Sequence, residues 1–475
     1  MRVLIVIYDN GGHISYFPVA SGYIVAALQN AGHEVDIWHQ DIHHYPSEQL
    51  TDVLNQTKYD VVGLGVIGGY YQYQKLKELS QAINRSDQRP FYMVGGHMCS
   101  PDPEYFIKKC GIDAVIVGEG EKTVVNLLNA LETQQSLTTV DGIVFSHNDV
   151  VTTNAREKLI DIDSISQPAY DSLNVNYYRL RDYHNGRYLP NNNPHNNDFC
   201  LSLLSGRGCP FKCSFCYRLE KGFRGRSPES IIAEMEFLYR QYNIKYFLFI
   251  DELLMAGYKR IQALCDAFIK YGMKERGLRW GCSGRLNYAT SETMELMKAA
   301  GCIFIHYGVE ALDNNVLAKM NKKLTVDKIH LGIDATIKSG INPGYSVMWG
   351  SPGDNLHTLD KLVQFLNKYD NGTYLRTIRP VTPYPGSPLY YDAIEQGLLD
   401  SKNSAEDFYE RRCVNSDLIS CNFMDIPTDV AHIALYKANQ LLIKHYYNNV
   451  SDNTISSVKD LYEGKTTIFR GYNLV

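Results

Sequence analysis

Short apolar runs recur along the first 135 positions, and each is followed by a longer stretch in which apolar residues return every three or four positions. RVLIVI, EVDIWH, VVGLGV, FYMVGGH and AVIVGE read as strands, with VASGYIVAALQNAG and YQKLKELSQAI among the helices between them. Five such runs, each followed by a helix pattern, predict an α/β fold: a doubly wound, Rossmann-like parallel sheet covered on both faces. A sheet of that kind binds ligands beyond the carboxyl ends of its strands.

DGIVFSHNDVVTTNAREKL reads as a hairpin, and the polar NNNPHNN as an exposed loop, so a boundary is expected between about 165 and 198. The alternation then restarts. CLSLLSG, KYFLFID, RWGCSGR, CIFIHYGVE, PGYSVMWG and TYLRTIRPV are strand-like, with helix patterns such as PESIIAEMEFLYRQYN and TVDKIHLGIDATIKSG between them. Six units predict a full or partial (β/α) barrel, whose chemistry sits at strand carboxyl ends and in the loops that follow. The resulting division is residues 1–165, 198–400 and a helical extension 401–475 carrying DVAHIALYKANQLLIKHYY.

The totals narrow the partners. A formal charge of -5 with no basic run offers nothing to a nucleic acid, which points to small or neutral partners. The N-terminal apolar run is too short for a signal peptide and Asp9 interrupts it; no other run is long enough to span a bilayer. The expected location is cytoplasmic, where clustered thiols serve as metal ligands or catalysts rather than disulfides.

One cluster stands out. SGRGCPFKCSFCYRLEKGF places Cys209, Cys213 and Cys216 close together, in the expected loop after the first barrel strand. A structural zinc ion wants four closed ligands, so a fourth would have to come from afar, Cys282 and Cys302 being candidates. Three thiolates suit a 4Fe-4S cluster better, because they leave one iron open to a substrate. Cys413 and Cys421, eight residues apart, read as ordinary thiols.

The spacing Cys-x-x-x-Cys-x-x-Cys, with Phe215 before the third cysteine and Tyr217 after it, resembles the radical S-adenosylmethionine (SAM) enzymes. FIDELLMAGYKR, WGCSGRLN, MKAAGCIFIHYGVEALDNNVL, GSPGDNLHTL and PYPGSPLYYDAIEQGLL follow in the order of that family's large barrel branch. The resemblance implies that the open iron chelates SAM and that an electron from a low-potential donor, such as flavodoxin or ferredoxin, cleaves it to a 5'-deoxyadenosyl radical. It also implies cofactor-binding roles for Tyr217, for Glu310 at a strand end, for Arg285 toward the SAM carboxylate, and for Asp251 or Glu252. The plainer alternative for each is a capping or ion-paired residue at a barrel rim. GSPGD is either a turn or a backbone contact for the adenosine end.

In the first domain, FPVASGYIVAALQNAGHEVDIW, DVVGLGV, YMVGGHMCSPDPEYF and DAVIVGEGEKTVVNLL resemble the cobalamin-binding domain fused ahead of many radical SAM enzymes, and LIDIDSISQPAYDSL matches the connecting segment. Gly95, Gly96, Gly118 and Gly120 would then let backbone approach a flat ring; otherwise they serve turns. No Gly-x-Gly-x-x-Gly follows the first strand, which argues against a dinucleotide. The loop YDNGGHISYFP also departs from the Asp-x-His-x-x-Gly pattern that supplies a histidine to cobalt, so His13 is either a surface residue or a ligand by another geometry.

Together the two resemblances imply an enzyme using a 4Fe-4S cluster, SAM and cobalamin, with C-methylation of an unactivated carbon in a small molecule, lipid or peptide as the leading expectation. Radical cyclisation or oxidation within the same family, as by the anaerobic oxidative cyclase of bacteriochlorophyll synthesis, is the alternative. A cobalamin-binding regulator with a structural cluster is the third.

Overall fold

A computed structural model describes residues 1–11, 16–182, 198–370, 375–413 and 415–465. His13 and the NNNPHNN loop lie outside the described residues.

The first sheet is built from β1 (Arg2–Ile7), β2 (Glu34–His39), β3 (Val61–Gly65), β4 (Phe91–Gly95) and β5 (Ala114–Ile116), all parallel, extended by the antiparallel hairpin β6 (Ile143–His147) and β7 (Val150–Thr153). Its order is β2-β1-β3-β4-β5-β6-β7. From β1 the chain steps one way to β2 and the other way to β3, so the crevice of a doubly wound sheet opens beside β1. The unbroken apolar run of β1 follows from burial on both faces: Val3, Ile5 and Ile7 enter one core layer, Leu4 and Val6 the other.

The second sheet runs through β8 (Cys200–Leu203), β11 (Tyr246–Phe249), β12 (Arg279–Gly284), β13 (Cys302–Glu310), β14 (Asn342–Trp349) and β15 (Arg379–Pro380). Its order, β15-β14-β13-β12-β11-β8, is open at both ends. The barrel is therefore partial. Only two residues of the expected last strand pair, against Met348 and Trp349, and its start lies outside the described residues.

Between β8 and β11 the expected loop contains a two-stranded antiparallel ribbon, β9 (Gly206–Cys209) with β10 (Gly222–Gly225). The next helix, Pro228–Tyr242, shows how local chemistry sets an element. Ser227 caps its first turn by accepting from the Ser230 N–H, Pro228 sits where no amide partner is lost, and Asn243 ends it in the left-handed conformation. Its buried stripe is Ile231, Glu234, Met235, Leu238 and Tyr242. Glu234 is tolerated there because Arg226 and the Tyr170 hydroxyl both bind it, which ties the connecting segment to the barrel.

The C-terminal extension divides. Phe408, Tyr409, Cys413 and Cys421, beside Tyr390 of the preceding helix, pack into a core layer of the first sheet, and burial pushes both thiols up to about 11. The helix Thr428–Tyr462 buries Ala431, Leu435, Ala438 and Leu442 beside the barrel core. Among the described residues no helix is long and apolar enough to cross a membrane.

Candidate functional site

The ribbon fixes the cysteine loop at its base. Cys209 ends β9 opposite Gly222 instead of lying in a free loop, while Cys213 and Cys216 hang between the two strands. The loop is closed by the Cys216 N–H donating to the Cys213 carbonyl at 3.3 Å, and anchored by Ser214, whose N–H donates to the Met320 carbonyl at 2.9 Å. Cys213 is buried, Cys209 partly so and Cys216 exposed; desolvation within the loop raises the Cys216 thiol to about 12, helped by Cys213, Glu252 and Cys209 nearby, and raises Cys209 as well. Neutral thiols so placed become good ligands once a metal supplies positive charge.

No three His, Cys, Asp or Glu side chains converge on one ion position among the described residues. The distant zinc candidates face each other instead: Cys282 and Cys302 are buried side by side in the barrel wall.

Arg285 follows β12 and is buried beside the cysteine loop. Its Nη1 lies 3.6 Å from the Cys213 sulfur, its guanidinium 3.5 Å over the Phe211 ring, and its Nε donates to Asn287 Oδ1 at 2.8 Å. Nη2 is buried with no hydrogen-bond partner. An orphaned guanidinium N–H beside the thiols is what a site for a carboxylate-bearing cofactor requires.

Glu310 ends β13 with φ +67°, beyond a register shift after Gly308, and its Oε1 accepts from Lys322 Nζ at 2.9 Å. The pair lies so close over Gly308 that a Cβ there would collide with both groups. Both residues are buried, where removing one partner costs about 3–5 kcal/mol. In this structure the expected cofactor residue is thus ion-paired, in a backbone conformation that a non-glycine residue adopts only under constraint.

Asp251 is turned away from the cleft. Its carboxylate accepts from the Ser205 and Gly206 N–H groups at 2.7 and 3.2 Å and from the Ser205 hydroxyl, so it clamps the turn between β8 and β9. The next residue, Glu252, takes the place at the cleft wall, 3.7 Å from His97. Burial pushes Asp251 up to about 6 from 3.8. The folded state therefore holds a proton that the unfolded chain has released, and stability from this group falls by ~1.4 kcal/mol per pH unit as pH rises between those values. Asp251→Asn is expected to remove that slope. Unfolding midpoints of wild type and variant across this window check it, and parallel profiles would contradict it.

Tyr217 lies at the seam between domains, its ring edge-on to His97 at 6.1 Å. In GSPGD, Asp354 accepts from the Gly350 and Ser351 N–H groups, both at 3.0 Å, making a self-contained turn.

The four glycines meet at a cavity of about 330 Å³ between the two sheets. Gly95, Gly96, Gly118 and Gly120 line one side, with Gly65 and Ile67 after β3; Leu204, Gly206–Gly208, Leu219, Glu220, Ile250 and Glu252 line the other. Gly96 has φ +107°, and a Cβ there would strike the Val66 carbonyl, so glycine is needed for the backbone itself. Gly65 differs: the nearest atom to a Cβ would be Ser21 Oγ at 3.9 Å, so it leaves open space. Across the rim, Arg207 pairs with Glu119 at 2.9 Å and Arg156 with Glu220 at 2.6 Å, holding the domains together around the cleft.

Comparison with known proteins agrees with this geometry. The family model described as the Radical SAM superfamily matches residues 203–366, and that described as the B12 binding domain matches residues 15–128. The chain belongs to the radical SAM superfamily, in its branch with an N-terminal B12 binding domain. It is 26% identical over 392 residues to an uncharacterized methyltransferase of Pyrococcus horikoshii, covering 81% of this chain and 80% of that one. It is 25% identical over 412 residues to the anaerobic magnesium-protoporphyrin IX monomethyl ester cyclase of Rubrivivax gelatinosus, covering 82% of this chain and 70% of that one. Among solved structures, the radical SAM methyltransferase TsrM of Kitasatospora setae, determined with cobalamin and a 4Fe-4S cluster bound, superposes with a TM-score of 0.67 at 18% identity. That match covers 83% of this chain and 75% of TsrM, and it shows a shared fold.

Four residues of this radical SAM enzyme's site escape sequence reading. Arg207 owes its importance to Glu119, 88 residues away, and Lys322 to Glu310 on the far side of the helix Asn314–Lys319; no local pattern marks either. His97 directly follows the GG pair and Ile67 follows β3, positions that a doubly wound sheet turns toward its ligand.

Proposed function

We propose that the protein is a cobalamin-dependent radical SAM methyltransferase that methylates an unactivated carbon of a small molecule, lipid or peptide. The carrying observation is the cavity at the domain seam: one wall is the glycine-lined carboxyl end of the first sheet, and the other includes β9, the ribbon strand that ends in Cys209. When bound, the cluster with SAM supplies a hydrogen-abstracting radical and cobalamin carries the methyl group.

The chain's own residues bind, orient and exclude water. Cys209, Cys213 and Cys216 would hold the cluster, the orphaned Nη2 of Arg285 would take the SAM carboxylate, and Glu310 its amino or ribose groups. Gly65, Gly95, Gly96, Gly118 and Gly120 leave room for a flat macrocycle. Exposed Ile67 and Ile250 offer it apolar contacts, and the Arg207 and Arg156 ion pairs close the rim.

The test uses anaerobically reconstituted protein with hydroxocobalamin, SAM, a low-potential reductant and a cell extract as the source of the methyl acceptor, quantifying nucleoside products during turnover. Methyl transfer predicts 5'-deoxyadenosine and S-adenosylhomocysteine in equal amounts. 5'-Deoxyadenosine without S-adenosylhomocysteine would overturn methylation in favour of a cyclase-like reaction, and neither product would overturn the radical reading.

A further inference from the structure

We propose that Lys322 is a positioning residue for SAM, acting through Glu310, and that the turn Met320–Lys323 joins the three parts of the SAM site into one unit. The inference rests on the reading that SAM binds beside the cysteine loop.

The turn links the helix Asn314–Lys319 to the helix Val326–Lys338, whose first turn is already capped by Thr325. Connecting two helices asks nothing more of it. Yet all four of its residues reach the site, two at the cysteine loop, one at Glu310 and one at Arg285 through Asn287. The Met320 carbonyl accepts from Ser214 between the second and third cysteines at 2.9 Å, and Asn321 Nδ2 donates to the Lys212 carbonyl before the second at 2.7 Å. Lys322 Nζ donates to Glu310 Oε1 at 2.9 Å. The Lys323 carbonyl accepts from Asn287 Nδ2 at 2.6 Å, and Asn287 Oδ1 in turn accepts from Arg285 Nε at 2.8 Å. Asn321 and Lys323 take left-handed backbone conformations, with φ +51° and +55°, which aim these groups in different directions.

Lys322 is the member whose chemistry is hardest to explain as scaffolding. Its side chain is only 7% exposed, in a setting where an apolar residue would pack at lower cost. Its ammonium lies 5.6 Å from the centroid of the Phe215 ring, between the second and third cysteines, and faces Cys216 electrostatically. By holding Oε1 over Gly308 it fixes the plane of the Glu310 carboxylate and leaves Oε2 as the acceptor for an ammonium or a ribose hydroxyl.

The experiment is a double-mutant cycle on the full chain with its cluster reconstituted. SAM is titrated by calorimetry and by its effect on the electron paramagnetic resonance signal of the reduced cluster, and iron content is measured in every sample. Lys322→Met and Glu310→Gln are each expected to weaken SAM binding about ten-fold. The double variant is expected to be no more than about two-fold weaker than the worse single one, because both act through one carboxylate. SAM affinity of Lys322→Met within two-fold of wild type, or effects that multiply in the double variant, would overturn the proposal. If Lys322→Met does not assemble its cluster, Lys322→Arg is read instead: it keeps the charge but crowds Gly308, so weaker SAM binding supports the role and unchanged binding overturns it. Failure of wild type to bind SAM would strike the functional reading itself.

Discussion

Replacing Cys213 with alanine is expected to leave a folded protein that holds almost no iron or sulfide and forms 5'-deoxyadenosine at least about a thousand-fold more slowly, since nothing else in the site can deliver the electron. The loop around Cys213 is held by the β9–β10 ribbon, by the Met320 carbonyl and by Leu389, whose N–H donates to the Ser214 carbonyl at 2.8 Å, so the sulfur is not needed for the local fold. Cys282→Ser is the matched control. Its thiol is buried beside Cys302 in the barrel wall, and the cluster should survive the change even if stability falls. Iron and sulfide analysis with product chromatography reads both variants. A Cys213→Ala protein with a full cluster would refute the assignment.

Gly65→Phe is expected to lower retained corrinoid at least about ten-fold while leaving iron content and SAM cleavage intact. The position lines the cavity, has an ordinary backbone conformation, and would direct a side chain into open space. An added ring there competes directly with a bound macrocycle, and an overpacking cost of about 2 kcal/mol, mid-range for such insertions, corresponds to about thirty-fold. Gly96 makes a poorer probe, because any side chain there would collide with the Val66 carbonyl and disturb the fold first. Unchanged corrinoid retention in Gly65→Phe would show that this cavity is not the cobalamin site.

Much of this architecture is legible in the sequence because its signals are local. The unbroken apolar runs of β1 and β3 can only be strands buried on both faces, and the Cys209, Cys213, Cys216 spacing is a short-range geometric requirement. The glycines after β4 and β5 were readable for the same reason, since a tight turn at the carboxyl end of a strand is a local demand. What stays hidden depends on distant partners. Asp251 and Glu252 are adjacent, and only the position of Ser205 decides that the first turns inward while the second faces the cleft. Lys322 looks like one more lysine in a helix connection until Glu310 is placed over Gly308. The C-terminal extension hides most, because Phe408 and Tyr409 find their core against a sheet formed some 300 residues earlier.

One chain is proposed to hold both cofactors, cobalamin at the glycine-lined cavity and the cluster at the adjoining cysteine loop. This is tested most directly by reconstituting the full protein anaerobically with iron, sulfide and hydroxocobalamin, removing unbound material, and measuring corrinoid and iron in the same sample. Close to one corrinoid and one four-iron cluster per chain is the expected result. A protein that keeps its cluster and cleaves SAM but retains no corrinoid would contradict it, and methyl transfer through cobalt would have to be abandoned.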